Sequence, residues 1–353
     1  MIVEKVDFFE IYTLSEVLNK LDLSVGKREL ISIQLGLASQ MHEAAGKNPL
    51  LEEYVKQIIP AISLGHCEFY FDSITRLVGF VLWANVSDKI SADISQHGGG
   101  HLNSHGFSSG PNLWIIDFQV SGGALRSVLN KIAATLFGSA THVTYFRYRR
   151  RGWHIKKIYR QTAHRTLYKN NLMQLNCTGS TITSNEKILH QRKFSLLKSS
   201  IVGYSLLIFE KSDARNQFPL TRLLNIIRLF FGMRQLKIYF NANGDAIGLL
   251  TWAWISSRTA AQLKHNTLHS IHPSEWNEGD TLCFCELAFS AEGASALEND
   301  IAFALFPEEP KILWYGCIDG EDIATLHEWH RSQRGTLASM IMNRPHGGVS
   351  NFI

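Results

Sequence analysis

The chain has 353 residues, 45% of them hydrophobic and 11% aromatic, with a net charge of +4 and five cysteines. That suits two domains of roughly 150 residues, each with a core of its own, and excludes a disordered or fibrous polypeptide. No run of about 18 uninterrupted apolar residues occurs, which excludes a membrane-spanning helix. The odd cysteine count, without framework spacing, argues for reduced thiols. An N-terminus carrying Glu4, Asp7 and Glu10 does not read as a signal peptide, so the expected compartment is the cytoplasm.

In chain order, residues 1–25 read as an N-terminal extension with helical patterning at Leu14, Val17, Leu18 and Leu21. Apolar spacing predicts a helix over Glu29–Met41 and a second over Pro49–Ile62, opened by a proline near its first turn. Two strands follow, Cys67–Asp72 and Leu77–Asn85, then a helix over Ser87–Ile94. The loop Gln96–Pro111 is rich in Gly, Ser and His and is expected to be mobile and exposed. Leu113–Val120 is a buried strand, Ser121-Gly122-Gly123 turns into a helix over Ala124–Phe137, and Thr141–Arg149 is another strand. Polar residues over Asn170–Glu186 mark a linker.

The same layout then recurs at one constant offset. Gly79-Phe80-Val81-Leu82-Trp83-Ala84-Asn85 returns as Gly248-Leu249-Leu250-Thr251-Trp252-Ala253-Trp254. Glu68–Phe71 aligns with Lys237–Phe240, and Leu113–Phe118 with Leu282–Leu287. So long a period marks duplicated domains rather than a solenoid. The expected boundaries are an extension 1–25, a first domain 26–165, a linker 166–188, a second domain 189–331 and a tail 332–353. The element order within a copy is an α/β pattern. Cys283 and Cys285, two apart on a strand, share a face and suit core packing.

Charge is unevenly spread. From Phe118 to Asn185 there is no Asp or Glu but eleven Lys and Arg, eight of them between Arg147 and Arg165. Such a block implies an acidic partner: a phosphate, an acidic protein or nucleic acid. The second copy is acidic over the equivalent stretch, from Glu292 to Asp322. A strand ending in a glycine turn that opens a helix can cradle an anion on backbone N–H groups, which makes Gly122 and Gly123 candidates. His97-Gly98-Gly99-Gly100 and Gly106-Phe107-Ser108-Ser109-Gly110 mimic a lipase oxyanion motif and nucleophile elbow. Both sit in one loop, with a strand after the serine instead of before it, so a hydrolase is set aside. His97, His101 and His105 lack an orienting scaffold, and no metal site is expected.

Four stretches together carry a resemblance: Gly36-Leu37-Ala38-Ser39-Gln40-Met41-His42, Ile59-Pro60-Ala61-Ile62, Leu82-Trp83-Ala84-Asn85-Val86-Ser87 and Trp114-Ile115-Ile116-Asp117-Phe118. They resemble the toxin-activating lysine acyltransferases, a divergent branch of the GNAT superfamily, over most of the first copy; the second copy keeps only the scaffold. The resemblance implies an α/β fold of two tandem GNAT-like domains, each a mixed central sheet flanked by helices. It also implies transfer of a fatty acyl chain from acyl carrier protein to a lysine of a protoxin. The family's Ser-x-x-His pair and strand Asp correspond to Ser39, His42 and Asp117. Two departures stand out: Glu43 follows His42 where a basic residue is common, and the family is usually one self-associating domain. The chain is also similar to GNAT-like enzymes that fatty-acylate lysine or ornithine in ribosomal peptides. Either acceptor is open, as is a coenzyme A donor; no permanently bound cofactor is implied.

A lysine amine with a pKa of about 10.4 is almost wholly protonated at neutral pH and must lose a proton to attack. His42 is the candidate base. Asp117 would orient it or stabilise its charged form, and Ser39, on the same helix face, would position the amine or donate to the oxyanion. Arg126, Arg147, Arg149 and Arg150 would join Gly122 and Gly123 in holding the donor's phosphate and acidic carrier. Apolar residues around Trp83 and Trp114 would house the acyl chain. Anchoring the copies on Pro49 and Pro219 sets Ser212 opposite His42 and Glu286 opposite Asp117, so the second copy is expected to be silent. It would replace a second subunit or bind the acceptor. Two rivals are a non-catalytic GNAT-like binding module and a basic nucleic-acid-binding protein. The latter is suggested by Tyr145, Phe146, Tyr148 and Trp153 interleaved with arginines.

Overall fold

Long stretches of alternating and continuous apolar residues form two central sheets in the computed structural model. It describes residues 11–97, 102, 105–121, 123–135, 142–149, 152–159, 185–211, 218–263, 271–290, 297, 299–317 and 324–330. These fall into two units, one within 1–48 and 53–200, the other within 49–52 and 201–353. No helix among the described residues is long and apolar enough to cross a membrane.

The first unit opens with a short strand β1 (Tyr12–Thr13) and a helix α1 (Leu14–Lys20). Thr13 caps that helix reciprocally with Glu16, a capping box. The N-terminal segment is therefore more than a helical extension: β1 pairs with the edge of the sheet, and Leu14, Val17 and Leu18 are buried. Helices α2 (Lys27–Ala44) and α3 (Leu51–Ser63) follow, then strands β2 (Cys67–Phe71) and β3 (Leu77–Val86) and helix α4 (Asp88–His97). Strand β4 (Asn112–Val120), helix α5 (Leu125–Thr135), and strands β5 (His142–Arg149) and β6 (Gly152–Tyr159) complete it. Strand order follows chain order from β1 to β6, all antiparallel except the parallel β4–β5 pair. The sequence predicts one strand, Thr141–Arg149, in this region; the described residues form the hairpin β5–β6. One face of the sheet packs Tyr70, Val81, Leu113 and Val143 against Val128 and Ile132 of α5. Each such fully buried side chain contributes about 1.5–3 kcal/mol.

Part of the Gln96–Pro111 loop corrects the expectation of an exposed mobile segment. Phe107 is buried, its carbonyl accepts from Asn85 N–H at 2.8 Å, and Ser109 N–H donates to Asn85 O at 2.8 Å. The burial of one aromatic ring and two backbone bonds fastens this half of the loop to the end of β3. His97 ends α4 and pairs with Asp93 at 2.9 Å; His101 lies outside the described residues. So do residues 160–184, which include nearly all of the expected linker.

The second unit contains α6 (Asn185–Glu210, whose first part groups with the first unit), α7 (Leu220–Gly232), β7 (Leu236–Phe240), β8 (Ala246–Ile255) and α8 (Ser257–Leu263). Then come β9 (Thr281–Phe289), β10 (Lys311–Cys317) and β11 (Ala324–His330). The sheet order is β11-β10-β9-β8-β7, with β9–β10 the parallel pair. Cys283 and Cys285 share one buried cluster, as their spacing implied.

Both units repeat the same irregularities. Register shifts at Tyr70/Phe71 and Leu82/Trp83 recur at Tyr239/Phe240 and Thr251/Trp252. The β2–β3 turn has Thr75 at φ 57, and its counterpart is Gly244 at φ 78. The fold is α/β, two tandem GNAT-like domains with mixed sheets.

Candidate active site

His42 lies in the last turn of α2 and is buried. Its Nδ1 is 2.9 Å from the carbonyl of Ala38, one helical turn back. The Tyr54 ring meets it edge-on at 5.2 Å, and Phe80 lies 6.2 Å away. Tyr54 is fixed in turn by donating to Leu35 O at 2.7 Å. The imidazole is therefore held by α2 and walled by α3 and β3.

Asp117 reaches the same place because β4 is bulged. Leu82 pairs with Asp117 while Trp83 pairs with Ile115, which leaves Ile116 as an extra residue. Leu113 and Ile115 pack in the cluster around α5, and so do Phe118 and Val120. Strict alternation from Leu113 would have put Asp117 in that apolar cluster. The bulge shifts the side-chain parity and turns Asp117, with Gln119, to the opposite face. There His42 Nε2 lies 3.2 Å from Asp117 Oδ2. The ladder between β4 and β5 runs only from Leu113↔Val143 to Ile115↔Tyr145, so it stops where the bulge begins.

Two further donors meet the carboxylate. Lys47 Nζ donates to Oδ1 at 2.7 Å, and Gln119 Nε2 to Oδ2 at 3.0 Å. Burial pushes the Asp117 carboxyl up, but the hydrogen bond from His42 and the charge of Lys47 outweigh it and hold the group at about 2. Both His42 nitrogens face oxygen acceptors, so both contacts are hydrogen bonds only in the imidazolium form. A neutral ring that keeps its Nδ1 proton on Ala38 carries its lone pair on Nε2, beside Asp117.

Lys47 is placed by the way α2 ends. Gly46 adopts φ +69, its N–H donates to Glu43 O at 2.9 Å, and Lys47 N–H donates to His42 O at 2.9 Å. This is a Schellman motif with Gly46 at its left-handed position. Sequence reasoning missed Lys47 and Gln119. For Gln119 a signal existed, since residues two apart in a strand share a face. For Lys47 the only hint was that a buried Asp117 requires a partner.

The family model of the RTX toxin acyltransferases matches residues 35–162 and again 195–330, well over half of the chain. The chain belongs to the RTX toxin acyltransferase family. Membership assigns it, broadly, to the acyltransferases that act on toxins, and implies an acyl donor and a protein acceptor. No curated protein matches the chain in sequence.

The other expected residues of this family member fare unevenly. Ser39 is fully buried, and its hydroxyl donates to Gly36 O at 2.7 Å, so the proton an oxyanion would need is directed along the helix. Trp114 is fully buried, bonded through Nε1 to Ser91 Oγ at 2.9 Å and packed on Phe146. That makes it core rather than the wall of an open acyl channel. Trp83 is half-buried and stacks on His66 at 5.8 Å. Gly123, at φ +80, precedes α5. Gly122 and Arg150 lie outside the described residues. Arg126 is placed on α5, and Arg147 and Arg149 on β5, by backbone alone.

The serine of the lipase-like motif has a neighbour too: Ser108 Oγ lies 3.5 Å from His66 Nε2. His66 O accepts from Trp83 N–H, and the matching bond in the second unit runs from Trp252 N–H to Gln235 O. Gln235 there bonds Asn277, at the place of Ser108. A pair without nucleophile or base fills the same position, so the contact pins a loop.

At the second unit's bulge Glu286 replaces Asp117 and is buried, and Ala288 replaces Gln119. Asp300, at the place of Lys131, accepts from Lys237 Nζ and Tyr239 Oη, each at 2.7 Å. Ser212 lies outside the described residues, as do 291–296.

Proposed function

We propose that the first unit is a lysine-type N-acyltransferase. It moves a fatty acyl chain from an acyl thioester, on acyl carrier protein or coenzyme A, to the side-chain amine of lysine or ornithine in a protoxin or precursor peptide. The observation that carries this reading is the buried His42–Asp117 contact at 3.2 Å, with a lysine ammonium already bound to the same carboxylate. An acceptor ammonium drawn to Asp117 is brought beside Nε2. His42, neutral and fixed by Ala38, takes the proton as the amine attacks the thioester carbonyl; Asp117 then stabilises the imidazolium. General-base catalysis of this kind contributes about 10²–10⁴-fold.

The donor side has its own support. Past Ile115 the β4–β5 ladder ends, and an extended arm carrying amide groups can pair with strand backbone there. The β4–turn–α5 junction with Gly123 suits the donor's phosphate, and the basic β5–β6 hairpin suits an acidic carrier. The second unit has Glu286 and Ala288 where the first has Asp117 and Gln119, which supports a silent domain that completes the fold or receives the acceptor. An acyl thioester donor suits a reaction in the cytoplasm.

The test is transfer to a lysine-bearing acceptor, followed by intact mass, for the native chain and His42→Ala. A loss of about 10²-fold or more is expected. A native rate in the variant removes His42 as base, and no transfer from either donor by the native chain removes the reading.

A further inference from the structure

We propose that Lys47 is itself an acyl acceptor: the enzyme's own lysine occupies the acceptor position and is acylated there when no other amine competes. The inference rests on the acyltransferase reading above and adds a modification site to it. Lys47 Nζ is 2.7 Å from Asp117 Oδ1, across the carboxylate from His42 Nε2 on Oδ2. Its side chain is 46% exposed and that of Asp117 only 8%, so the stem runs from solvent to a buried anion. An incoming lysine has to make the same approach. Among the described residues Lys47 is the one lysine ion-paired with Asp117.

The placement is built into the backbone. The Schellman turn ties the Lys47 N–H to the His42 carbonyl at 2.9 Å, so the amine cannot drift far from the base. A tethered nucleophile beside its base has an effective concentration that a free acceptor must overcome. The step balances. The Lys47 ammonium gives a proton to His42 as it leaves Asp117, and the amine forms a C–N bond to the thioester carbonyl. The tetrahedral adduct loses its second N–H proton to water, the C–S bond breaks, and the thiolate leaves with the proton that His42 returns. The product is an amide at Lys47 and a free thiol on the donor. The amide carries no charge, so Asp117 loses its ammonium partner, and the modified enzyme is altered at its own acceptor site.

The experiment uses the full chain without added acceptor. It is given saturated acyl thioesters from octanoyl to palmitoyl, as coenzyme A esters in one arm and on acyl carrier protein in the other. Intact mass and peptide mapping then locate the acyl group. One group on the peptide containing Lys47 is expected. It should vanish in Lys47→Arg, which keeps the ion pair, and fall about 10²-fold in His42→Ala and His42→Gln. Excess lysine-bearing peptide should suppress it. Acylation scattered over many lysines, or undiminished in urea-unfolded protein, overturns the proposal as simple chemical acylation. Transfer to the added peptide with Lys47 untouched overturns it and leaves the acyltransferase reading standing. No transfer to either amine overturns both.

Discussion

Lys47 and His42 are joined twice: through the backbone, where Lys47 N–H donates to His42 O at 2.9 Å, and through Asp117, which binds both side chains. The helix end and the His42–Asp117–Lys47 cluster are thus one structure, and disturbing either disturbs the other.

Gly46→Ala tests that link. A Cβ at Gly46 meets nothing within 4 Å, so the cost is purely that of φ +69. It is expected to be about 1–2 kcal/mol. Thermal unfolding should show a small loss of stability, and acyl transfer a larger one, because Lys47 and His42 lose their common anchor. Unchanged activity in a destabilised variant would separate the turn from the site.

Gly36→Ala probes a different constraint. Its Cβ would lie 1.9 Å from the carbonyl oxygen of Ser199, a backbone atom that cannot rotate away. Overpacking of this kind costs about 1–3 kcal/mol or more. A urea midpoint equal to that of the native chain would show that α2 can shift at no cost.

Asp117 should make stability depend on pH at the acid end. Its carboxyl is held at about 2 against an ordinary 3.8, so below 3.8 the unfolded chain binds the proton first. The stabilisation, about 2 kcal/mol, is complete above that value and is lost as pH falls towards 2. The urea midpoint measured from pH 5 to 2 should fall more steeply for the native chain than for Asp117→Asn. Parallel curves would contradict the buried ion cluster.

The two bulge carboxylates should differ in function. Asp117→Asn is expected to lower transfer about 10²–10⁴-fold by removing the anion that serves His42 and the acceptor amine. Glu286→Gln, at the same place in the second unit, should leave the rate unchanged. A comparable loss in both variants would give the second unit a share in the chemistry.

Much of the framework was legible in the residues. The constant offset between Gly79–Asn85 and Gly248–Trp254 carried the duplication, because a bulged strand with a glycine against its neighbour leaves a motif that survives divergence. Apolar period placed α2, α3, β2 to β4 and α5 within a few residues, since burial acts on each element locally. The pairing of Ser39, His42 and Asp117 came from resemblance alone. The hairpin partner β6 was missed because Gly152–Tyr159 is basic and weakly alternating, and only strand pairing orders it.

What the linear chain determined was therefore which segments bury apolar surface, and that the first copy sets His42 and Asp117 where the second has Ser212 and Glu286. The tertiary structure decided their meeting. Side-chain direction along β4 depends on one inserted residue at Ile116, which no periodicity reveals, and Lys47 reaches Asp117 through a left-handed turn and a contact spanning seventy positions. Electrostatics act through space, so which cation neutralises a buried anion is settled only when distant segments are brought together.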